Sequence, residues 1–317
     1  MSSNGDKSEY PPETVIETPW STVIRFPTSE GQFYLKETPA DLIEYETIKA
    51  IKHLIPDAPI PIILHHNQEL NCFLMNSCGD YSLRTLFKGT IDSEQLIQGL
   101  HLYLNILRSL EQKREVFELI GIPDWRIEHI PDRYIELLEK KDLVLNEGFT
   151  SSELEKLIDL VPTIKTICHF LAEQNIKDTL VNSDFNENNL IIDKHTQHIS
   201  IVDWGECVIS HPFFSIAAHL QNNARRYQLE LDGPLLENIK RECLSCWLDV
   251  ASLDELEIIY QNILKLLPVF SSLCVCRLQT ATHNKSKERQ SWFIAELLKT
   301  LLPLSRYITS DSMRLNK

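Results

Sequence analysis

Residues 181–190 read VNSDFNENNL and residues 199–205 read ISIVDWG, and the reading of this pair decides the fold. The first holds Asp184 and Asn189 in a polar loop that leads into an apolar run. The second ends an apolar run on Asp203, beside Trp204 and Gly205. Asp and Asn favour loops for their own side-chain hydrogen bonds, so each alone reads as turn chemistry. Asp203 resists that reading, because an unpaired carboxylate at the end of a strongly apolar strand is costly. Two carboxylates and an amide also form an oxygen set that suits a hard divalent cation, with a general base beside it.

Around this pair the chain divides. NLIID and HISIVD flank the polar turn KHTQ and read as one hairpin. Upstream, TVIET (14–18), STVIRF (21–26) and QFYLKE (32–37) read as strands; the latter two alternate like half-buried antiparallel strands. DLIEYETIKAIKHLI (41–55) follows as a helix with Glu44, Ile48, Ile51 and Ile55 on one stripe. A Pro-rich connector then leads to two more strands, IILHH (62–66) and LNCFLMN (70–76). Beyond Cys78-Gly79-Asp80 nearly every segment carries helical periodicity. The expectation is an α+β chain: a disordered tail over 1–12, a β-rich N-lobe over 13–78 and a helical C-lobe over 79–317 carrying that lone hairpin.

Composition bounds the function. The chain has 317 residues, 43% hydrophobic and 24% charged, as in ordinary globular proteins. A net charge of −14 disfavours nucleic acid, which rewards clustered Lys and Arg, and leans slightly toward a cationic small molecule. No apolar signal segment opens the sequence, and the richest run, 258–270, is broken by Gln, Asn, Lys and Pro. A cytoplasmic protein without a membrane partner is expected. Eight cysteines then read as reduced thiols. CLSC (243–246) and CVC (274–276) lack the four convergent ligands of a structural zinc site and read as core. Trp125, Trp247 and Trp292 lie in what read as helical patterns and are expected to pack.

Transfer of a phosphoryl group from ATP needs a Lys on phosphates, a Glu holding that Lys, oxygen ligands for Mg²⁺ and an Asp for the acceptor's proton. The chain supplies these in kinase order: Lys36 late in the third strand, Glu44 on the helix stripe, Asp184 with Asn189, then Asp203. Glu46 rivals Glu44, but its helical neighbours Ala50 and His53 mark a less apolar face. Each residue alone has a bland reading; the five in order do not.

In YLKETP (34–39), LMNSCGDYSL (74–83), NSDFNENNLIID (182–193), IVDWG (201–205) and HPFFSIA (211–217), the sequence resembles the aminoglycoside phosphotransferase and choline kinase group of small-molecule kinases. The resemblance implies a bilobal protein-kinase-like fold, with ATP and Mg²⁺ as cofactors and a small-molecule hydroxyl as acceptor. It implies that Asp184 is the catalytic base, that Asn189 and Asp203 hold Mg²⁺, and that Lys36, paired with Glu44, contacts ATP phosphates. It further implies that backbone near Asn76 and Cys78 meets the adenine edge, and that Ser21 covers the phosphates. The sequence departs from the family at Asn182-Ser183, in place of His-Gly, and at Asn186 and Asn188, in place of a common His and Gly. Asn188 is expected in a left-handed conformation. His211 and Ser215 replace two acidic positions. These departures leave a second reading open, a degenerate kinase fold serving as a nucleotide- or partner-binding scaffold. Aminoglycosides, choline or ethanolamine, homoserine and sugar-like alcohols all stay open as acceptors, and oligomeric state is unreadable.

Overall fold

The computed structural model describes residues 11–29, 31–140, 149–282 and 294–304. Most of the expected N-terminal tail and Trp292 lie outside the described residues.

The N-terminal half-cleft is an antiparallel sheet. Strands β1 (Glu13–Thr18), β2 (Ser21–Thr28) and β3 (Gly31–Glu37) form a meander, and after helix α1 (Glu44–Leu54) come β4 (Ile63–Asn67) and β5 (Cys72–Asn76). The order is β1-β2-β3-β5-β4. Lys36 therefore lies mid-sheet, opposite Val23 on one side and Phe73 on the other. Helix α1 begins later than expected, because the Leu42 N–H closes a turn on the Pro39 carbonyl at 2.9 Å. Its buried face carries Glu44, Ile48 and Ile51, so a first-turn acid rides on the apolar stripe. Ser21 opens β2, opposite Thr18, with Pro19 and Trp20 forming the turn.

Gly79 joins the halves. A Cβ there would lie 2.6 Å from the Ile192 carbonyl carbon, and its φ of +144° is one that side chains disfavour. The glycine lets β6 (Tyr81–Ser82) reach the hairpin, and the Asp80 N–H donates to the Ile192 carbonyl at 2.9 Å. Helices α2 (Leu83–Phe87), α3 (Ser93–Leu110), α4 (Arg114–Leu119), α5 (Ile130–Glu139), α6 (Ser151–Asp159) and α7 (Val161–Ala172) follow. The chain then lays down β7 (Thr179–Asn182), β8 (Leu190–Ile192), β9 (Ile199–Ile201) and β10 (Cys207–Ser210) before α8 (Phe213–Tyr227), α9 (Pro234–Ser245) and α10 (Leu253–Ala281). Residues 294–299 are helical.

Three expectations need correction. The hairpin is not alone: β6 extends it to a three-stranded sheet, and β7 pairs with β10 in a separate antiparallel ladder. Those strands are two to four residues long, and both β7 and β10 are wholly buried, so they show no alternation to read. Trp125 is buried but not helical, its N–H bonded to the Ile209 carbonyl at 2.8 Å, and Trp247 is buried in the turn after α9. Helix α10 is long and apolar enough to cross a membrane by length and composition, despite its polar interruptions. Half of its most apolar stretch is buried within the fold, where Phe270 stacks on Phe214 of α8 at 4.3 Å. Among the described residues no cysteine is paired in a disulfide.

Candidate active site

The sheet, the residues around Gly79 and the loop after β7 enclose a cavity of about 1040 Å³. Ser21, Lys36, Glu44, Asn76, Cys78, Asp184, Asn189 and Asp203 all line it. The structure thus places all eight candidate site residues named from the sequence around one cavity.

Lys36 is the hub. Its Nζ lies 2.7 and 2.9 Å from the two Glu44 carboxylate oxygens and 2.8 Å from Asp203 Oδ1. Burial disfavours this ammonium, but the Asp203 and Glu44 charges outweigh it and hold the pKa above the usual lysine value. Glu44, not Glu46, is the partner, and its Oε1 also accepts the Trp204 N–H at 3.2 Å. One buried carboxylate therefore fixes the lysine and the backbone that carries Asp203. Asp203 itself is left-handed, with φ 67°, a rare conformation for a residue with a side chain. That strain re-aims its side chain at the end of β9, half exposed to the cavity.

The loop between β7 and β8 is braced by its own amides. Asn182 Nδ2 donates to the Asp203 carbonyl at 2.7 Å, and Asn182 Oδ1 accepts the Asp184 N–H at 3.0 Å. The Asn182 N–H donates to the Tyr103 hydroxyl at 3.0 Å, and Ser183 Oγ donates to the Glu206 carbonyl at 2.8 Å. The replacement of His-Gly thus substitutes a different brace and leaves the loop pinned. Asn188 is not left-handed: its N–H closes on Asn186 Oδ1 at 3.0 Å, a side-chain turn that needs no positive φ. Asn189 Nδ2 donates to the Asp184 carbonyl at 3.4 Å. At the two replaced acidic positions, Ser215 Oγ donates to the Pro212 carbonyl at 2.9 Å. His211 Nδ1 accepts the Phe213 N–H, and burial pushes this imidazole down to about 3, so it is neutral.

Asp184 is exposed to the cavity, with protein packed behind its carboxyl. Desolvation by that packing, with the Asp203 charge added, pushes the group up to about 7, against the pull of Arg84 and Lys36. Ser21 Oγ is buried with no hydrogen-bond partner, an orphan donor in the cavity roof. Asn76 is occupied: its N–H meets the Ile62 carbonyl at 3.2 Å, its Oδ1 accepts the Ile62 N–H, and its Nδ2 donates to the Ser77 carbonyl. Cys78, of the two hinge residues named, keeps a backbone N–H without a described partner.

Sequence reasoning missed the opposite lip. Buried Glu187 accepts from Arg84 Nε at 2.7 Å, and Arg226 Nε and the Tyr227 hydroxyl each approach the same oxygen at 3.3 Å. Burial counts against this carboxylate, but the Arg84 hydrogen bond, a backbone hydrogen bond and the charges of His219 and Arg84 together outweigh it and lower its pKa. Arg84, Arg225, Arg226 and Trp20 all line the cavity. No spacing in the sequence connects residue 84 with residues 225 and 226; α2 and α8 meet through Glu187 of the loop after β7 and through the edge-on rings of Phe87 and Tyr227, 6.4 Å apart. A second cavity of about 570 Å³ shares Trp20, Asp184 and Arg225 with the first. Its walls combine apolar residues of α10, Leu231 and Leu297 with the polar Ser183, Glu206, Gln221 and Asn222.

No family model matches the chain, and no curated protein sequence does either. Solved structures do match in fold. An ethanolamine kinase of Plasmodium vivax superposes with a TM-score of 0.61 at 15% identity, covering 93% of this chain and 81% of that one. A choline/ethanolamine kinase family protein of Mesorhizobium loti gives 0.60 at 13%, covering 93% and 89%. The GDP complex of aminoglycoside 2'-phosphotransferase-IIIa gives 0.61 at 13%, covering 97% and 95%. The chain has the bilobal, protein-kinase-like α+β fold of the choline kinase and aminoglycoside phosphotransferase group.

Proposed function

We propose that this chain is an ATP- and Mg²⁺-dependent phosphotransferase that moves the γ-phosphate to a hydroxyl of a small molecule. The observation that carries the reading is the convergence of Lys36, Glu44, Asp184, Asn189 and Asp203 on one cavity. Lys36, fixed by Glu44, binds the nucleotide's phosphates, and the orphan Ser21 Oγ is free to donate to one of them. Cys78 offers its N–H to the base. Asp184 accepts the acceptor hydroxyl's proton, a role that suits a carboxyl held near neutral pH.

The donors fit Mg²⁺. Asp203 keeps Oδ2 clear of Lys36, and the Asn189 amide spends its nitrogen on the Asp184 carbonyl, leaving its oxygen for a ligand role. Mg²⁺ uses one or two carboxylates and substrate phosphates rather than a full protein cage, so two side chains suffice. When bound, the ion neutralises charge that develops on the transferred group.

A small acceptor is favoured over a peptide. Between Asp203 and α8 the chain is taken up by the β10 ladder, which leaves no long segment to serve as a peptide platform. The reading has the protein act in the cytoplasm on a soluble acceptor, without nucleic acid or membrane. Its test is thermal unfolding with ATP, with and without Mg²⁺, for the parent and Asp203→Ala. ATP at a hundredfold excess over Kd stabilises by about 2.7 kcal/mol, several degrees for a domain of this size. A Mg²⁺-dependent rise lost in the variant is expected; no rise at millimolar ATP sinks the reading.

A further inference from the structure

The lip opposite Lys36 is cationic in a strongly acidic chain. Arg84 and Arg226 are both held on Glu187, which is only 1% exposed, so their head groups are positioned before any ligand arrives. Arg84 is held a second time, through its Nη2 on Asn186 Oδ1 at 2.6 Å. Arg226 uses only Nε, leaving its two terminal nitrogens without described partners. Arg225 lies beside them, exposed, with no described hydrogen bond or ion pair, and it lines both cavities. The second cavity shares Asp184 and Arg225 with the first and runs on between apolar side chains of α10 and the polar Glu206, Gln221 and Asn222.

We propose that Arg225, with Arg226 beside it, selects an acceptor that carries an anionic group, a phosphate or carboxylate, near the hydroxyl to be phosphorylated. The proposal rests on the phosphotransferase reading and gives its acceptor a class. It runs against the weak lean toward a cation that net charge suggests, because the local field at the lip, not the whole-chain charge, meets the ligand. Asp184 and Arg225 line the same two cavities, so an acceptor seated with its hydroxyl at Asp184 shares its space with a guanidinium that has no described carboxylate partner. Guanidinium groups bind both phosphate and carboxylate through paired N–H donors, so the shared chemistry is a planar or tetrahedral oxyanion. The alternative use of Arg225 is on the nucleotide's own phosphates, and the experiment separates the two.

Calorimetry on the full chain reads binding without turnover. A non-hydrolysable ATP analogue with Mg²⁺ is titrated first, then glycerol 3-phosphate, glycerate, glycerol or ethanolamine into the nucleotide complex. The parent is expected to bind the two anionic alcohols at least tenfold more tightly than glycerol or ethanolamine. Arg225→Gln is expected to lose about 10- to 100-fold of that affinity, the size of one charged hydrogen-bond pair, with analogue binding unchanged. Arg225→Lys should recover part of it. In turnover the loss should fall on the acceptor KM, with kcat nearly held. Preference for ethanolamine overturns the proposal, as does a variant that weakens the analogue and spares the acceptor. If the parent binds no nucleotide, the phosphotransferase reading fails by itself. Glycerol 3-phosphate is then titrated into the free chain, where Arg225-dependent binding sustains the anion site and its absence removes it.

Discussion

The two walls of the cleft are built on different principles. On the sheet side Lys36 is buried and doubly paired, Glu44 is 2% exposed and bonds two elements at once, and Asp203 is strained into place. On the α8 side Arg225 is exposed with no described partner, and the cavity beyond it has a mixed wall of apolar side chains from α10 and polar ones such as Gln221 and Asn222. The first wall is a lattice in which every member depends on the others. On the second, Glu187 holds Arg84 and Arg226, and Arg225 beside them stands without a described partner. The lesson is that charges buried together must lock one another in place, while a charge at the solvent-facing lip needs no internal partner.

Breaking the locked wall should cost most at its chemical centre. Asp184→Asn keeps the size and the N–H contact to Asn182, so nucleotide binding should persist while turnover falls by about 10²- to 10⁴-fold. A fall of less than tenfold in steady-state assays would remove Asp184 from the base role. Next comes Glu44→Gln, which unbalances a buried ion pair and should cost about 3 kcal/mol, seen as a loss of roughly 6 °C or more in Tm together with weaker ATP binding. The matched change on the free wall, Arg225→Gln, should leave Tm within about 1 °C. Equal losses at the two positions would abolish the contrast.

Gly79→Ala tests the joint between the walls. Its Cβ meets backbone at 2.6 Å and its φ is unfavourable, so a loss of about 2 kcal/mol by denaturant unfolding is expected. The smallest effect belongs to a group outside the cleft. Burial, with Glu128 and Asp124 adding to it, pushes the Asp178 carboxyl up to about 7, against Arg126 and Arg114, and its Oδ1 has no partner. The folded chain then binds a proton that the unfolded chain has released, so stability falls as pH rises from about 4 to about 7. Asp178→Asn should flatten that slope and raise stability at pH 8 by about 1 kcal/mol; parallel pH curves for parent and variant would contradict it.

Much of the locked wall was legible in the sequence because its parts are tied to element ends. Lys36 ends a strand, Glu44 opens a helix on its apolar stripe, and Asp203 closes a run that had no other place for a carboxylate. Those local signals survive without any knowledge of what packs on them. The ladder of β7 with β10 was not legible, since short strands buried on both faces look like any apolar run. Asn182 read as a departure from a pattern, and only its three hydrogen bonds show it acting as a brace.

The sequence by itself determined the order of the chemical groups and the kind of element each sits on, because hydrophobic period, turn residues and isolated acids are local properties. The apolar stripe favoured Glu44 over Glu46, and tertiary structure fixed the choice by burying Glu44 against Lys36. Tertiary structure also decided the opposite lip. Arg84 and Arg226 come from segments far apart in the chain, and they meet on Glu187 because a buried carboxylate must find its cations wherever the fold brings them.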